Sequence, residues 1–307
     1  MSCYAAWNPS ESDRKGSASG GVATLLARTV LQRGGVFFGT RWSSSLEAVV
    51  DWTEGDVEPF RGSRYVESVF PREARDKLHA FLKEGREVLF VGTPCQVASL
   101  LPLKKNYPRL ILVDLLCHGT SPAFYLKEEI EYLGKGSRPD GLLLREGPRF
   151  RMSLWEGSRC LWARDAQKAP YLWGYLSGIT LREACFKCPW ARPERIGDIT
   201  LGDFIGIERR NVSFVLTNSE AGEELVKECG ADLEPRTLQE RMAYRPGICE
   251  PSALPPERMF FLFLLRFFRF PTAIRLTMLP HRLGLPFKSV WKALHHQAHL
   301  LKTRRKK

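Results

Sequence analysis

Val88-Leu-Phe-Val-Gly-Thr-Pro-Cys95 is a short apolar run that ends in helix- and strand-breaking residues and a cysteine. After a predicted helix, Leu110-Ile-Leu-Val-Asp-Leu-Leu-Cys117 repeats the pattern. Such runs are typical of buried parallel strands joined by a helix. Because ligands in open α/β sheets bind beyond the carboxyl ends of the strands, we predict that Cys95 and Cys117 emerge side by side at that edge.

A second cysteine pattern lies downstream, in Leu181-Arg-Glu-Ala-Cys185-Phe-Lys-Cys188-Pro189. A Cys-x-x-Cys pair places two thiols about one turn apart, and a following proline is typical of cluster-binding ferredoxin segments. Two ligands do not hold a cluster, so we predict that Cys95 and Cys117 complete a set of four. The other cysteines are interpreted as ordinary residues or, for the last of them, as a substitute ligand: Cys3, Cys160, Cys229 and Cys249.

Composition sets the class of protein. The chain has 307 residues and 44% hydrophobic content, enough for a sizeable core, which excludes a disordered protein. The net charge of +12 comes largely from a C-terminal segment that ends Lys302-Thr-Arg-Arg-Lys-Lys307, so it does not indicate a nucleic-acid-binding face, and no nucleic-acid partner is expected. Without a signal peptide, the eight cysteines indicate reduced thiols in the cytoplasm.

The order of predicted elements gives an α/β fold with a mixed, largely parallel sheet flanked by helices. A β-rich insertion is predicted at about 135–165. We divide the chain into a main domain, 1–258, and a Phe-rich then basic helical tail, 259–307.

Two loops are candidate binding segments. Ser19-Gly20-Gly21 precedes an amphipathic helix that begins at Val22, and a helix N-terminus after a glycine loop is a candidate cradle for a phosphate or pyrophosphate. The alternative is an N-cap with a flexible approach. Arg64 and Tyr65 place a cation beside an aromatic ring, which suits an anionic, ring-bearing ligand, although a solvated turn explains them equally.

Six motifs in order resemble the beta-subunit family of coenzyme F420 hydrogenase and dehydrogenase, over about Tyr4 to Phe261. They are Ser19-Gly20-Gly21, Gly62-Ser63-Arg64-Tyr65-Val66, Gly92-Thr93-Pro94-Cys95-Gln96, Val113-Asp114 with Cys117-His118-Gly119, Leu181-Arg182 with Cys185 and Cys188, and Asp198-Ile-Thr-Leu-Gly-Asp203-Phe.

This resemblance implies an iron-sulfur flavoprotein oxidoreductase with FAD and a 4Fe-4S cluster. It would pass electrons between a two-electron donor, such as reduced coenzyme F420, and a one-electron carrier. On this interpretation Cys95, Cys117, Cys185 and Cys188 hold the cluster. Two loops are the candidates for the flavin phosphates and ring, namely Ser19, Gly20 and Gly21 in the first and Arg64 with Tyr65 in the second.

The sequence departs from the family in lacking an N-terminal ferredoxin-like segment, so we expect a ferredoxin or another electron-carrier subunit as partner. Its two-electron partner would be a reduced deazaflavin or another donor of the same class. The run Met259 to Phe270 is strongly apolar but too short to span a bilayer. With its basic continuation it fits either a helix packed on a partner or a helix lying at an anionic membrane surface. The second alternative would make the protein peripheral at the membrane.

Three alternatives remain open at the level of sequence. The same four cysteines would suit a structural zinc ion, with no electron transfer. A catalytically inactive relative would act as a scaffold in polysaccharide biosynthesis or a membrane-surface complex. A cysteine nucleophile at Cys117-His118 is disfavoured because adjacent residues on a strand point to opposite faces.

Overall fold

The computed structural model describes residues 1–207, 211–244 and 250–284. Its strands are β1 (Ser2–Trp7), β2 (Val36–Trp42), β3 (Ala48–Thr53), β4 (Val88–Gly92), β5 (Leu110–Leu115), β6 (Gly141–Leu143), β7 (Arg151–Glu156), β8 (Arg159–Asp165), β9 (Ile199–Asp203), β10 (Ser213–Thr217) and β11 (Asp232–Arg236). Its helices are α1 (Glu11–Lys15), α2 (Val22–Gln32), α3 (Arg72–Lys83), α4 (Pro94–Lys104), α5 (Ala123–Gly134), α6 (Pro170–Leu176), α7 (Glu220–Glu228), α8 (Leu238–Tyr244), α9 (Glu257–Leu264) and α10 (Phe270–Arg282).

The main sheet has eight strands in the order β11-β1-β10-β9-β5-β4-β2-β3. Its centre, β2, β4, β5 and β9, is parallel, and the flanking pairs are antiparallel. The predicted α/β fold with a largely parallel sheet is therefore confirmed. β4 and the first four residues of β5 are apolar because both faces of the sheet are covered there, as Val88, Leu89 and Leu110 show by being fully buried.

The predicted β-rich insertion is a separate antiparallel sheet in the order β6-β7-β8. Its inward side chains, among them Leu142, Met152 and Leu154, join a hydrophobic cluster that also contains residues of α5, α6, α9 and α10. The small sheet is thus anchored to the helices on one side of the molecule.

The first part of the predicted tail forms an antiparallel helical hairpin, α9 and α10. His281 Nε2 at the end of α10 lies 3.4 Å from Glu257 Oε1 at the start of α9. Phe261, Phe270 and Ile274 are fully buried in the same cluster as the insertion, so these residues of the tail are core. None of the described helices is long and apolar enough to cross a membrane. The basic end of the predicted tail and Cys249 lie outside the described residues.

Candidate functional site at the carboxyl edge of the sheet

Cys95 lies in the first turn of α4, directly beyond the carboxyl end of β4. The turn is set by Thr93, whose backbone N–H donates to Gln96 Oε1 at 3.0 Å, an arrangement that caps the helix. The Cys95 side chain is exposed, and its Sγ lies 3.2 Å from Thr93 Oγ1. Helix capping therefore fixes where this thiol leaves the sheet.

Cys117 follows the neighbouring strand at the same offset. Gly92 of β4 pairs in register with Asp114 of β5, and each cysteine lies three residues beyond its member of that pair. The pKa of Cys117 is raised to about 12, mainly by burial and in smaller part by the like charges of the nearby Cys185, Cys95 and Cys188. All three other candidate ligands are thus close enough to Cys117 to interact with it.

The Cys-x-x-Cys segment lies on the turn that follows Cys117. Cys185 is on a 3-10 turn, Glu183–Lys187, and Cys188 comes directly after it. The backbone N–H of Arg182 donates to Thr120 O at 2.9 Å. A Cβ on Gly119, whose φ is +134°, would lie 3.0 Å from Cys185 Cβ, so the close approach of the two segments requires glycine. We call the four residues Cys95, Cys117, Cys185 and Cys188 the cysteine edge.

A buried ion pair ties the two halves of the cysteine edge together. Asp114, fully buried three residues before Cys117, pairs with the guanidinium of Arg195, whose side chain is 5% exposed. The other oxygen of Asp114 accepts from Thr200 Oγ1 at 2.8 Å and from Gly197 N at 3.2 Å. The chain that leaves Cys188 is therefore fastened to the strand that leads to Cys117.

The C-terminal hairpin holds the same region from the other side. Arg258 at the start of α9 donates from Nη1 to Ile179 O at 2.7 Å and Leu181 O at 2.6 Å. Its guanidinium lies 4.8 Å from the ring centre of Phe186, between the two cysteines of the pair, and burial lowers its pKa. Two backbone carbonyls and one ring thus fix the approach to Cys185.

A group of aromatic side chains extends from the cysteine edge toward the end of β9. Tyr175, whose burial raises its pKa well above the usual value, stacks on Tyr65 with ring centres 5.0 Å apart. Its hydroxyl lies 3.3 Å from His118 Nδ1. The Tyr65 hydroxyl accepts from Arg145 Nη1 at 3.2 Å, and the same nitrogen pairs with Asp203 at 2.8 Å. Tyr65 therefore connects the turn after Cys117 with the carboxyl end of β9.

The predicted glycine loop lies at the same edge of the sheet, because β1 runs in the direction of the parallel strands and the loop follows its carboxyl end. Gly20 N–H donates to Ser213 Oγ at 3.0 Å, and a Cβ on Gly20 would lie 2.4 Å from Ala6 O. Ser19 Oγ donates to Val212 O at 2.8 Å. Gly21, with φ +81°, is the N-cap of α2. The loop is thus packed on the sheet, and the first turn of α2 presents the N–H groups that have no intrahelical acceptor.

Arg64 is engaged with its own loop. Its guanidinium donates to the backbone carbonyls of Pro59 at 2.6 Å, Phe60 at 2.9 Å and Gly62 at 3.0 Å. Burial lowers the pKa of Arg64 to about 10, and its Nε is buried without a hydrogen-bond partner. An anionic ligand at this position would have to share these donors.

The loop of Arg64 and the segment before the glycine loop are joined by ion pairs. Arg28 of α2 contacts Asp13 at 2.6 Å and Glu58 at 3.3 Å, and Arg61 pairs with Glu58 at 2.6 Å. The two segments therefore lie on the same side of α2. We call Ser19–Gly21 and Arg64–Tyr65 the loop segments.

The sequence profile of the coenzyme F420 hydrogenase/dehydrogenase family, for the C terminus of its beta subunit, matches residues 85–239. That span is half of the chain and contains the whole cysteine edge. The chain belongs to this family. The predicted resemblance is thereby confirmed, and membership supports a redox function at the level of the hydrogenase and dehydrogenase family.

A solved structure shares the fold of this beta-subunit family member. A chain of the xenon-derivatised F420-reducing NiFe hydrogenase complex from Methanosarcina barkeri matches with a TM-score of 0.55 and 18% identity, over 91% of this chain and 90% of that one. The fold therefore extends beyond the residues that the family profile covers. No curated protein matches the sequence.

Several residues of the beta-subunit site were not among the predicted site residues. Arg195 and Arg258 carry no local signal, because their partners are a distant carboxylate and backbone carbonyls. Asp203 was part of a family motif in the sequence but not a predicted site residue, and Arg145 and Tyr175 were not singled out there. The one signal that would have indicated Arg195 is the buried Asp114 inside an otherwise apolar strand, since a buried carboxylate requires a partner.

Proposed function

We propose that this chain is an iron-sulfur flavoprotein oxidoreductase that passes electrons between a two-electron donor, such as reduced coenzyme F420, and a one-electron carrier. The observation that carries the proposal is the gathering of four cysteines from three separate segments at the carboxyl edge of the parallel sheet. Family membership supports the same assignment. We propose Cys95, Cys117, Cys185 and Cys188 as ligands of a 4Fe-4S cluster.

The donor set fits a cluster, because four thiols are drawn to the same edge of the sheet and thiolates are the usual ligands of a 4Fe-4S cluster. Among the described residues, no three His, Cys, Asp or Glu side chains are arranged around a single metal ion. The four cysteines come from three separate segments of the chain, whereas structural zinc sites usually draw their ligands from pairs that are close in sequence. This difference supports the cluster over the zinc site.

We propose FAD as the second cofactor, held by the first turn of α2 for its phosphates and by the side of Tyr65 for its ring. The support is positional, since both lie at the edge of the sheet that carries the cysteines. When bound, FAD and the cluster together convert two-electron into one-electron transfer. The Nε atoms of Arg61 and Arg64 in this loop are both buried without a hydrogen-bond partner.

The protein's own residues act by positioning. Asp114 with Arg195, and Arg258 with the carbonyls of Ile179 and Leu181, fix the spacing of the two cysteine segments. Tyr175 would exclude water from the space behind Cys117, because it is buried, while the exposed His118 contacts its ring with centres 4.6 Å apart. A dry surrounding of this kind tunes the potential of a cluster.

We further propose that the chain works with a ferredoxin or another electron-carrier subunit, and that the redox unit is 1–258 with 259–307 as a tail. The support for a partner is that the structural neighbour is part of a hydrogenase complex. The described part of the tail is attached to the redox unit by the shared hydrophobic cluster, and α9 crosses the boundary between them directly after Arg258.

The test is anaerobic purification followed by an ultraviolet-visible spectrum and quantification of iron, sulfide, zinc and flavin in the same sample. We expect flavin bands over a broad iron-sulfur shoulder, with about four irons per chain. Stoichiometric zinc without flavin would replace the proposal with the structural zinc protein. The absence of both metal and flavin would favour the scaffold.

Cysteine variants test the ligand assignment in the same assay. Changing any of Cys95, Cys117, Cys185 or Cys188 to Ser is expected to remove most of the iron. The matched controls Cys160→Ser, at an exposed site, and Cys229→Ser, at a buried one, should keep it. Equal loss of iron in both sets would contradict the assignment.

A further inference from the structure

The hairpin of α9 and α10 exposes an apolar surface that the fold does not use. On α9 and the following turn, Met259, Phe263 and Phe267 recur every four residues and are 61%, 49% and 66% exposed. Phe263 and Phe267 contact each other with ring centres 5.2 Å apart. We call the following exposed side chains the hairpin surface: Met259, Leu262, Phe263, Phe267, Phe268, Leu276, Leu279 and Leu283.

The hairpin is apolar on its inner side as well. Phe261, Leu264, Phe270 and Ile274 are buried against the insertion and α5. A helix that is hydrophobic all round is normally covered on all sides. The exposed side chains therefore indicate a second contact, separate from the one that packs the hairpin on its own chain.

The charge of the protein is concentrated in the same part of the chain. Residues 259–307 contain 11 of the 46 Lys and Arg residues and no Asp or Glu, whereas residues 1–258 balance the remaining 35 against all 34 acidic residues. Nearly the whole net charge of +12 thus belongs to the last 49 residues. Such a segment complements an extended anionic surface.

Two arginines of the hairpin are neutralised within the molecule. Arg269 pairs with Glu131 at 2.8 Å and with Glu128 at 3.4 Å, and Arg275 pairs with the buried Glu129 at 2.8 Å. These bridges fasten the hairpin to α5. Arg266 and Arg282 are exposed and have no acidic partner among the described residues, so they add positive charge beside the hairpin surface.

We infer that the hairpin surface docks this chain on an anionic lipid bilayer. Exposed Phe and Leu side chains next to Arg, in a segment without acidic residues, match a boundary at which hydrocarbon lies directly below negative headgroups. The helices have 8 and 13 residues, below the ~20 needed to span a bilayer, so they lie in the interface. A protein partner would not require that every charge over so long a stretch be positive.

This docking would bring the redox site toward the bilayer. Arg258, on the first turn of α9, holds the backbone that leads to Cys185, so the hairpin is directly connected to the cysteine edge. The inference does not depend on the proposed cofactors, because the hairpin surface is independent of them.

The test is co-sedimentation of the full-length protein with vesicles of phosphatidylcholine alone and of phosphatidylcholine with phosphatidylglycerol. We expect binding to the anionic vesicles only, weakened by added salt. Phe263→Ser combined with Phe267→Ser should lower the partition coefficient at least about tenfold, since two rings no longer leave water. The control pair Val69→Ser and Leu143→Ser changes side chains that are 54% and 44% exposed elsewhere, and should bind like the unchanged protein.

A charge pair tests the electrostatic part. Arg266→Glu combined with Arg282→Glu should lower binding to anionic vesicles at least about tenfold, because each cation near the surface contributes about 1 kcal/mol. The control, Arg72→Glu with Arg159→Glu, makes the same change of charge at exposed positions on α3 and β8. Thermal unfolding of each variant checks that the core is intact.

Three outcomes would overturn the inference. The first is equal binding to neutral and anionic vesicles, or to neither. The second is unchanged binding in both the Phe and the Arg variants. The third is a change of molecular mass in analytical ultracentrifugation of the Phe variant with no change in vesicle binding, which would identify a second copy of the chain as the occupant.

Discussion

The cysteine edge and the loop segments lie at the same end of the sheet, yet they differ in what holds them. Cys117 and the Cys185–Cys188 segment are held together by the Asp114–Arg195 pair, Arg258 and the close contact at Gly119, whereas Cys95 is placed by the cap of its own helix. The loop segments are held by hydrogen bonds to the backbone and to β10, since Gly20 donates to Ser213 at the start of β10 and Arg64 donates to carbonyls of its own loop.

This difference shows which kind of pattern carries functional information. Four residues of one type are drawn from three separate segments to one edge of the sheet, and only Cys185 among them packs against a hydrophobic cluster. The glycines and Arg64 have sufficient structural reasons to be where they are, so their pattern alone does not distinguish a flavin site from a well-packed loop. Experiments on the two regions should therefore separate stability from cofactor retention.

The largest expected effect is at the ion pair beneath the cysteine edge. Asp114→Asn leaves the Arg195 guanidinium buried and unpaired, which should lower the free energy of unfolding by about 3–5 kcal/mol. Urea denaturation measures the change. The control Arg72→Ala breaks a pair with Asp76 whose side chains are 89% and 69% exposed, and should cost about 0–1 kcal/mol. A loss below that of the control would mean that the pair does not hold the edge.

The next effect concerns the contact between the two cysteine segments. Gly119→Ala would place a methyl group 2.8 Å from Leu181 Cδ1 and 3.0 Å from Cys185 Cβ. We expect the free energy of unfolding to fall by about 1–3 kcal/mol and the iron content to fall, because the Cys185 segment must move away from Cys117. Iron per chain and urea denaturation are measured together.

The matched control for that change is Gly85→Ala. Gly85 also has a positive φ, +75°, but no atom lies within 4 Å of a Cβ placed there. The Gly85→Ala variant should lose only about 1 kcal/mol of unfolding free energy, the cost of a side chain at positive φ, and should keep its iron. Full iron content in Gly119→Ala would contradict the requirement for close approach.

How far the sequence predicts these two regions follows from the type of contact involved. Cys95 and Cys117 were predictable because parallel strands end at one edge, and the register of Gly92 with Asp114 gives both thiols the same offset. Arg195 and Arg258 were not, because a side chain that bonds to a distant carboxylate or carbonyl leaves no periodic pattern. The tight contact of Gly20 with Ala6 was not predictable either, because both a close backbone contact and a phosphate-binding loop require glycine.

The tail illustrates a third case. An apolar run with two arginines predicted a helix packed on a partner or one lying at a membrane surface. The structure shows that part of the run is core, with Phe261 buried and Phe263 exposed. The sequence does not reveal which face is inward, because both faces of α9 are apolar.

A charge added to the first turn of α2 tests the loop segments. Ala23→Glu adds a carboxylate that the helix dipole favours, but Ala23 also packs against the hydrophobic core, so the free energy of unfolding should fall by about 1–2 kcal/mol. If the first turn binds the flavin phosphates, repulsion between like charges should lower FAD affinity at least about tenfold. Flavin per chain and a titration with FAD measure this.

Ala221→Glu is the matched control for this change. Ala221 is the second residue of α7, as Ala23 is of α2, and both are partly buried. Because α7 follows β10, which runs against the parallel strands, its first turn lies at the opposite edge of the sheet. Equal FAD affinity in both variants would remove the first turn of α2 from the flavin site.

The smallest expected effect is at Tyr65, the residue that contacts both regions. Tyr65→Phe keeps the stack on Tyr175 and removes only the hydroxyl that accepts from Arg145, while Arg145 retains its pair with Asp203. The free energy of unfolding should fall by about 0.5–1.5 kcal/mol. Tyr171→Phe, which removes a hydroxyl bonded to Tyr65 O at 2.8 Å, is the control of similar size.

The two regions can then be separated at this one side chain. If the ring of Tyr65 contacts the flavin, Tyr65→Ala should lower FAD retention while Tyr65→Phe should not, because only the alanine variant removes the ring. If Tyr65 serves only to brace Tyr175 behind Cys117, Tyr65→Ala should instead lower iron content and stability and leave FAD affinity unchanged. Because the two roles predict losses of different cofactors, iron and flavin measured on the same sample assign Tyr65 to the cysteine edge or to the loop segments.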